Sequence, residues 1–139
     1  MTDLATDLPF IVDVPIRYRD LDPFNHVNNA VYVTYLESAR AAYLEAVADL
    51  AAEDYGFVVA NLEIDYERSI TMGQDVVVAT GTTNLGTSSW TMGYEIYADG
   101  TRAAIAETTL VCVDAETRSS IPIPDSMRQR IVEYEGFEG

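Results

Sequence analysis

The sequence predicts an α+β fold in which a five-stranded antiparallel sheet covers one long central helix, followed by a short C-terminal helix. Three observations predict it. One strand-like segment is followed by a long helical pattern and then by four more strand-like segments. Asp99-Gly100 is a strong hairpin signal between the last two segments. A sheet and a helix that each carry an apolar face are stable when those faces are buried together.

The first strand and the loop after it occupy residues 10 to 29. Apolar side chains at every second position from Phe10 to Tyr18 predict a strand with one buried face. Pro15 has no backbone N–H to donate, which favours an edge position or a bulge. Residues 20–29 hold turn-forming residues without periodicity, so we expect an ordered loop there.

A long helix is expected after this loop, from about Asn28 to an end between Asp54 and Gly56. Apolar residues recur there at three- and four-residue spacings, while acidic residues occupy other faces. The apolar positions are Tyr32, Tyr35, Leu36, Ala39, Tyr43, Val47 and Leu50. Such a helix is roughly 24 residues or ~36 Å long.

Four further strands and a short helix complete the predicted fold. The strands are expected at Ala60 to Glu67, Val76 to Thr80, Trp90 to Tyr97 and Arg102 to Val113. A turn and two prolines precede the short helix around Ser126 to Tyr134. Because an open sheet edge presents unpaired backbone groups, we expect the chain to dimerise.

Length and composition indicate one domain over residues 1–139. The chain has 139 residues, a usual domain size, and its hydrophobic fraction of 48% argues against intrinsic disorder. No apolar run approaches the ~18 residues that span a bilayer, and the N-terminus lacks the basic residues of a secretory signal. We therefore expect a cytoplasmic protein. Cys112 is the single cysteine, so neither an intrachain disulfide nor a CxxC metal site can form.

The charge of the chain excludes several partners. It has 23 acidic residues against 8 basic ones, all arginine, and a formal net charge of -15. This field repels phosphate backbones and anionic lipid surfaces, so neither nucleic acid nor a membrane is an expected partner. Self-repulsion destabilises a compact fold in dilute salt, whereas at about 1 M salt the Debye length falls to ~3 Å. Since lysine is absent as well, we expect a halophilic protein from a salt-rich cytoplasm.

The sequence leaves few types of catalytic site open to this chain. The chain has no GxSxG elbow, no Walker loop and no GxGxxG motif after a strand. His26 is its only histidine, which excludes a two-histidine metal site, and no metal is expected. One cluster of polar residues stands immediately before the long helix. It consists of Asp20, Asp22, Asn25, His26, Asn28 and Asn29.

This cluster suits acyl transfer. A helix N-terminus offers unpaired N–H groups and a partial positive charge of roughly +0.5, which stabilise a carbonyl oxygen that becomes negative. A nearby carboxylate attacks such a carbonyl or activates water. The structural alternative is that these residues are ordinary helix caps and turn formers, and spacing alone leaves both interpretations open.

The run from Arg17 to Asn29 and the residues after it resemble a known family. The pattern D-x-D-x-x-x-H-V-N-N-x-x-Y is similar to that of the hotdog-fold acyl-CoA thioesterases, and more narrowly of the 4-hydroxybenzoyl-CoA thioesterase-like group. Further matching segments are Tyr35-Leu36-Glu37, Leu62-Glu63-Ile64-Asp65-Tyr66, Ser88-Ser89-Trp90, Val113-Asp114 and Ile121-Pro122-Ile123-Pro124. The resemblance covers about residues 8 to 133 and implies the hotdog fold, a sheet wrapped around a long central helix.

The resemblance also implies a reaction, the hydrolysis of an acyl-CoA thioester to a free carboxylic acid and coenzyme A. It implies that Asp22 is the nucleophile or general base and that the backbone N–H of Asn29 polarises the thioester carbonyl. His26 and Asn28 match positions that orient water or the carboxylate. We expect a homodimer or homotetramer with active sites between subunits, and no cofactor beyond the coenzyme A of the substrate.

Five further residues are candidates for substrate contact. Tyr32, Ser69 and Ser89 could meet the substrate, with core packing and exposed strand positions as the alternatives. Arg68 and Arg118 could bind the phosphates of coenzyme A because a guanidinium binds phosphate bidentately; surface ion pairs are the alternative there.

Asp20 is expected to fix the loop through hydrogen bonds to backbone or to Arg19. One departure from the family is Phe24, where the plant acyl-ACP branch has a catalytic asparagine two residues after the acid.

A hotdog enoyl-CoA hydratase or dehydratase is the alternative enzyme, but its Asp and His lie five positions apart in a D-x-N-P-x-H run, whereas Asp22 and His26 lie four apart. The remaining alternative is a non-catalytic module that binds an acyl thioester.

Overall fold

A computed structural model describes residues 4, 6–49 and 55–137 of the protein. Strand β1 (Phe10–Val14) is followed by helix α1 (Asn29–Tyr43), which continues as a π-helical segment (Leu44–Ala48). The later elements are β2 (Tyr55–Tyr66), β3 (Val76–Leu85), β4 (Ser89–Ala98), β5 (Thr101–Asp114) and α2 (Asp125–Glu135). The predicted α+β architecture, with five strands, one long helix and a short C-terminal helix, is confirmed.

The five strands form one antiparallel sheet in the order β1-β3-β4-β5-β2, so β1 and β2 are its edges. The predicted hairpin between β4 and β5 is confirmed: Asp99 and Gly100 have φ angles of 49° and 80°. Positive φ at both central residues is typical of a type I′ turn, whose twist matches that of paired strands.

Helix α1 packs against one face of this sheet. Its Tyr43 hydroxyl lies 2.9 Å from Thr82 Oγ1 on β3, and Arg40 Nη1 lies 3.5 Å from the Tyr94 hydroxyl on β4. The predicted apolar positions of the helix are buried, except that Leu50 lies outside the described residues. Within the described part of the chain, no helix is long and apolar enough to cross a membrane.

The predicted ends of the first and third strands were wrong. The first strand ends at Val14 rather than Tyr18, because Pro15 cannot donate to the ladder, and residues 18–20 form a 3₁₀ turn instead. Pro15 nevertheless follows an edge strand, as predicted. The third strand continues past Thr80 to Leu85, since β4 pairs with its whole length and a bulge accommodates the break in alternation after Thr82.

The second strand and the helix before it also differ from the prediction. Helical structure ends at Ala48, because Asp49 adopts a left-handed conformation with φ 52°, so the predicted end between Asp54 and Gly56 was too late. Gly56 belongs to β2, which begins at Tyr55 rather than Ala60 and pairs with β5. Apolar spacing alone did not separate the end of the helix from the start of the edge strand β2.

The sheet face opposite α1 is acidic. Glu63 of β2 stands directly opposite Glu107 of β5, and Asp65 and Glu95 are the neighbours of Ile105 on either side of the same strand. Like charges that face each other across a ladder destabilise the sheet. We therefore expect part of the predicted charge repulsion to arise between the carboxylates of this face.

We expect the free energy of unfolding to rise between about 0.1 M and 1 M KCl, because the Debye length falls from ~10 Å to ~3 Å over that range. Urea unfolding followed by circular dichroism measures it. Glu107→Gln, which removes one member of the facing pair, should reduce the gain more than Glu116→Gln, which removes the same charge from an exposed turn. Unfolding that is insensitive to KCl would contradict the halophilic interpretation.

Candidate active site

The loop before α1 is a small closed structure. Leu21 and Val27 form an antiparallel bridge, and the N–H of Asp22 donates to the carbonyl of His26 at 2.7 Å. Asn25 reverses the chain with a φ of 64°, a left-handed conformation that Asn tolerates. Asp22 and His26 therefore face each other across the loop through their backbones.

The carboxylate of Asp22 is half-buried and partly engaged. Its Oδ1 accepts the N–H of Phe24 at 2.8 Å and that of His26 at 3.1 Å. Its Oδ2 accepts no hydrogen bond from any residue that the structure describes. One oxygen thus holds the side chain in place while the other is available to attack a carbonyl carbon or to take a proton from water.

The start of α1 follows this loop immediately. Asn28 is the N-cap, because its Oδ1 accepts the N–H of Ala30 at 2.8 Å. Asn29 is the first helical residue, and no residue in the described ranges accepts its N–H. That N–H is exposed at the positive end of the helix, where it can donate to an oxyanion. The catalytic role predicted for Asn28 stays a prediction beside this capping bond.

Two tyrosines fasten the start of the helix to the end of β2. The Tyr32 hydroxyl donates to the carbonyl of Arg68 at 2.9 Å, and the Tyr66 hydroxyl donates to the carbonyl of Asn29 at 2.9 Å. Their rings meet edge to face with centroids 5.0 Å apart. Tyr32 is almost fully buried in this arrangement, so the core position weighed for it is confirmed, while its contact with substrate stays a prediction.

Asp20 is the buried anchor of the loop. Its carboxylate accepts the N–H of Arg17 at 2.8 Å and the hydroxyl of Tyr35 at 2.9 Å, and the Arg17 guanidinium lies 3.4 Å away. Burial alone would raise the pKa of this carboxyl, but these hydrogen bonds and the Arg17 charge together hold the pKa below its usual value. The expectation that Asp20 fixes the loop agrees with these contacts, but the partner is Arg17 and not Arg19.

Arg68 and Ser69 lie beside the loop, as their place in the predicted site requires. Val27 donates its N–H to the carbonyl of Ile70 at 2.8 Å, and His26 forms a bridge with Thr71, so the segment that follows β2 runs along the loop. Arg68 and Ser69 line a cleft of about 520 Å³ at this end of the sheet. No described carboxylate forms a close ion pair with Arg68, although the charge of Glu67, which pairs with Arg102, acts on it and Glu67 and Asp99 line the same cleft.

Ser89 and Arg118 are not brought to this site within one protomer. Tyr66, beside the helix start, pairs with Ala104 at the beginning of β5, whereas Ser89 pairs with Val111 near its end. Seven residues of strand separate these points, or about 23 Å. Arg118 lies in the turn beyond β5, with a φ of 62°. Both residues therefore lie at the opposite end of the sheet from Asp22.

Sequence reasoning missed the part that Tyr35 plays in the site. It placed Tyr35 correctly in the core by its helical spacing. A signal was nevertheless present, because a buried tyrosine hydroxyl usually needs a hydrogen-bond partner and an aspartate in the preceding loop can supply one. Burial and the bond to Asp20 raise the pKa of Tyr35, so its hydroxyl remains a donor at physiological pH.

The chain belongs to the thioesterase-like superfamily, whose family model matches residues 16–131. The family resemblance, the hotdog fold and the enzyme class predicted from the sequence are thereby confirmed.

Three similar proteins illustrate the match. A thioesterase from Thermus thermophilus, crystallised with coenzyme A and Zn, is 40% identical, with a TM-score of 0.84 over 95% of this chain and 98% of that one. The long-chain acyl-CoA thioesterase FadM of Escherichia coli is 27% identical over 123 residues, which are 85% of this chain and 93% of the relative. A 1,4-dihydroxy-2-naphthoyl-CoA hydrolase of Synechococcus elongatus is 27% identical over 122 residues, 81% of this chain and 88% of the relative.

The lowered pKa of Asp20 makes part of the stability dependent on pH. A carboxyl whose pKa is lower in the folded state contributes stability that is complete above its ordinary value of 3.8 and is lost as the pH falls through the folded-state value. We expect Asp20→Asn to lower the free energy of unfolding by about 2 kcal/mol near neutral pH. The difference from wild type should shrink below pH 3.8.

Urea unfolding between pH 7 and pH 3 at constant molar KCl measures this difference. Asp13→Asn, an exposed aspartate on β1, serves as the matched control, and its effect should be small throughout. A difference between wild type and Asp20→Asn that stays constant with pH would contradict the assignment of Asp20 as a buried anion.

Proposed function

We propose that the protein hydrolyses acyl-CoA thioesters to a carboxylic acid and free coenzyme A. One observation carries the proposal: the loop that holds Asp22 with an unengaged Oδ2 leads directly into α1, whose first N–H has no acceptor in the described chain. The names of the two acyl-CoA-hydrolysing relatives support coenzyme A thioesters as the substrate class.

In this proposal the helix start stabilises the developing charge. The thioester carbonyl oxygen accepts the N–H of Asn29, and the positive end of α1 favours the oxyanion that forms when the carbonyl carbon is attacked. Tyr66 and Asn28 keep this first turn in place through their bonds to Asn29 and Ala30. A donor fixed before the reaction begins needs no reorganisation as the charge develops.

Asp22 supplies the attacking oxygen or activates it. As a general base it takes a proton from water, the water oxygen adds to the carbonyl carbon, and the C–S bond then breaks while the protonated Asp22 gives this proton to the leaving thiolate. As a nucleophile its Oδ2 displaces the thiolate to form an anhydride, which water then hydrolyses. Both routes consume one water and release one carboxylic acid and one thiol. In both routes His26, on the other side of the loop from Asp22, would orient the water.

The coenzyme A part of the substrate would bind beside this loop. Arg68 is the preferred phosphate ligand because it forms no close ion pair among the described residues and is the one arginine that lines the adjacent cleft, where it stands beside Ser69, Glu67 and Asp99. The proposed reaction needs no metal and no permanent cofactor. Within the described residues, no three His, Cys, Asp or Glu side chains are grouped closely enough to hold a metal ion.

We propose further that a second copy of the chain completes the site. Strand β2 is an edge strand, and its Val59 and Tyr66 are large apolar side chains exposed there. Ser89 and Arg118 lie at the far end of the sheet from the Asp22 of their own protomer, so any contact they make with a substrate would be at the site of a partner. A homodimer or homotetramer with sites between subunits accommodates both observations.

Thiol release from short, long and aromatic acyl-CoAs tests the reaction, measured in molar KCl with a chelator present throughout. We expect Asp22→Asn to lower kcat by ~100-fold or more, because a carboxylate that serves as general base typically contributes at least that much. Retained turnover in the variant would remove Asp22 from the mechanism.

Asp13→Asn is the matched control for this assay. Asp13 is an exposed aspartate on strand β1, so this variant removes the same charge as Asp22→Asn without touching the loop or the far end of the sheet. This variant should retain wild-type turnover. No thiol release from any thioester by folded wild-type protein would overturn the proposed function in favour of the hydratase or the binding module.

A further inference from the structure

We infer that Asp20 and Tyr35 are positioning residues, whose buried contact sets the loop that carries Asp22 against the start of α1. The inference rests on the proposed function for its effect on catalysis. It stands on the geometry of the loop, in which one residue connects the strand end, the loop and the helix.

Asp20 controls both halves of the site through short connections. Its carbonyl accepts the N–H of Asn28 at 2.8 Å, next to the helix residue that would bind the oxyanion. Two residues further along the chain stands Asp22, the proposed base or nucleophile. A displacement of Asp20 therefore moves the attacking group and the oxyanion donor at the same time.

Tyr35 holds Asp20 at a fixed position relative to helix α1. It is six residues beyond Asn29 in the same helix, or about 9 Å along the axis. Its ring is buried, since only 2% of the residue's surface is exposed. The 2.9 Å bond from its hydroxyl to Asp20 Oδ2 thus transfers the position of the packed helix to the loop. A misplacement of ~1 Å in such a site can cost ~100-fold in rate.

The same helix offers a matched control. Tyr43 is also fully buried, and its hydroxyl donates to a carboxylate, Glu135 Oε2, at 2.6 Å. Glu135 also accepts the N–H of Thr82 at 2.8 Å, so this pair joins α2 to β3. It has no contact with the loop of residues 20–28. Removing either tyrosine hydroxyl therefore breaks one buried bond to a carboxylate, but only one of the two bonds reaches the site.

The test compares Tyr35→Phe with Tyr43→Phe by two measurements. Amide hydrogen exchange followed by mass spectrometry reports the order of the loop, and thiol release reports kcat and KM. We expect Tyr43→Phe to lose at least as much thermal stability as Tyr35→Phe, because the Tyr43 hydroxyl also lies 2.9 Å from Thr82 Oγ1. Only Tyr35→Phe should raise exchange in residues 20–28 and lower kcat, by ~10-fold or more, with KM changed by less than about twofold. Tyr43→Phe should stay within about twofold of the wild-type kcat.

Unchanged loop exchange in Tyr35→Phe overturns the inference, whether or not the wild type releases thiol. An equal loss of kcat in both variants also overturns it, because the effect would then be general destabilisation. Wild-type protein without thiol release contradicts the proposed function instead, and the exchange result still decides the positioning role. If Tyr35→Phe does not fold, Asp20→Asn paired with Glu135→Gln makes the same comparison from the carboxylate side.

Discussion

The buried carboxylate of Asp20 is the contact on which the rest of the candidate site depends. Burial of an anion costs several kcal/mol unless hydrogen bonds and opposite charge replace its water. Here the N–H and the guanidinium of Arg17, which precedes the 3₁₀ turn, and the hydroxyl of Tyr35 on α1 replace that water. Satisfying this one group therefore fixes the 3₁₀ turn after β1, the closed loop and the entry into α1 together.

The high negative charge of the chain adds a second constraint. A protein of net charge -15 repels coenzyme A thioesters, which are themselves anionic, and it also resists forming an oxyanion. In the proposed site, the free N–H at the start of α1 and the guanidinium of Arg68 would offset part of this repulsion, against the Glu67 and Asp99 carboxylates that line the same cleft as Arg68. Molar salt screens long-range repulsion but acts little on short buried contacts, so we expect the same salt to stabilise the acidic sheet face and to let the substrate approach.

The features that could be predicted from the sequence are those that depend on the backbone preference of one or two residues. The Asp99-Gly100 hairpin, the edge position beside Pro15 and the Asn28 start of α1 all follow from local backbone preferences. Strand lengths did not follow, because β3 extends beyond its β-branched run only through pairing with β4. The sequence predicted the loop cluster as a group of polar residues. The different roles of Asp20, Asp22 and Asn28 could not be predicted, because they depend on which hydrogen bonds form in the folded chain. Ser89 was chosen by resemblance alone, and no spacing rule could show that it lies at the other end of the sheet.

The most direct test of the site is a crystal structure with an acyl-CoA analogue in which a methylene group replaces the thioester sulfur. This ketone keeps the carbonyl but cannot be hydrolysed. We predict that its carbonyl oxygen lies about 2.7–3.1 Å from the backbone nitrogen of Asn29, with a carboxylate oxygen of Asp22 or its bound water about 3–3.5 Å from the carbonyl carbon. A bound analogue whose carbonyl oxygen is held by other donors, away from the start of α1, would contradict the assignment of both residues.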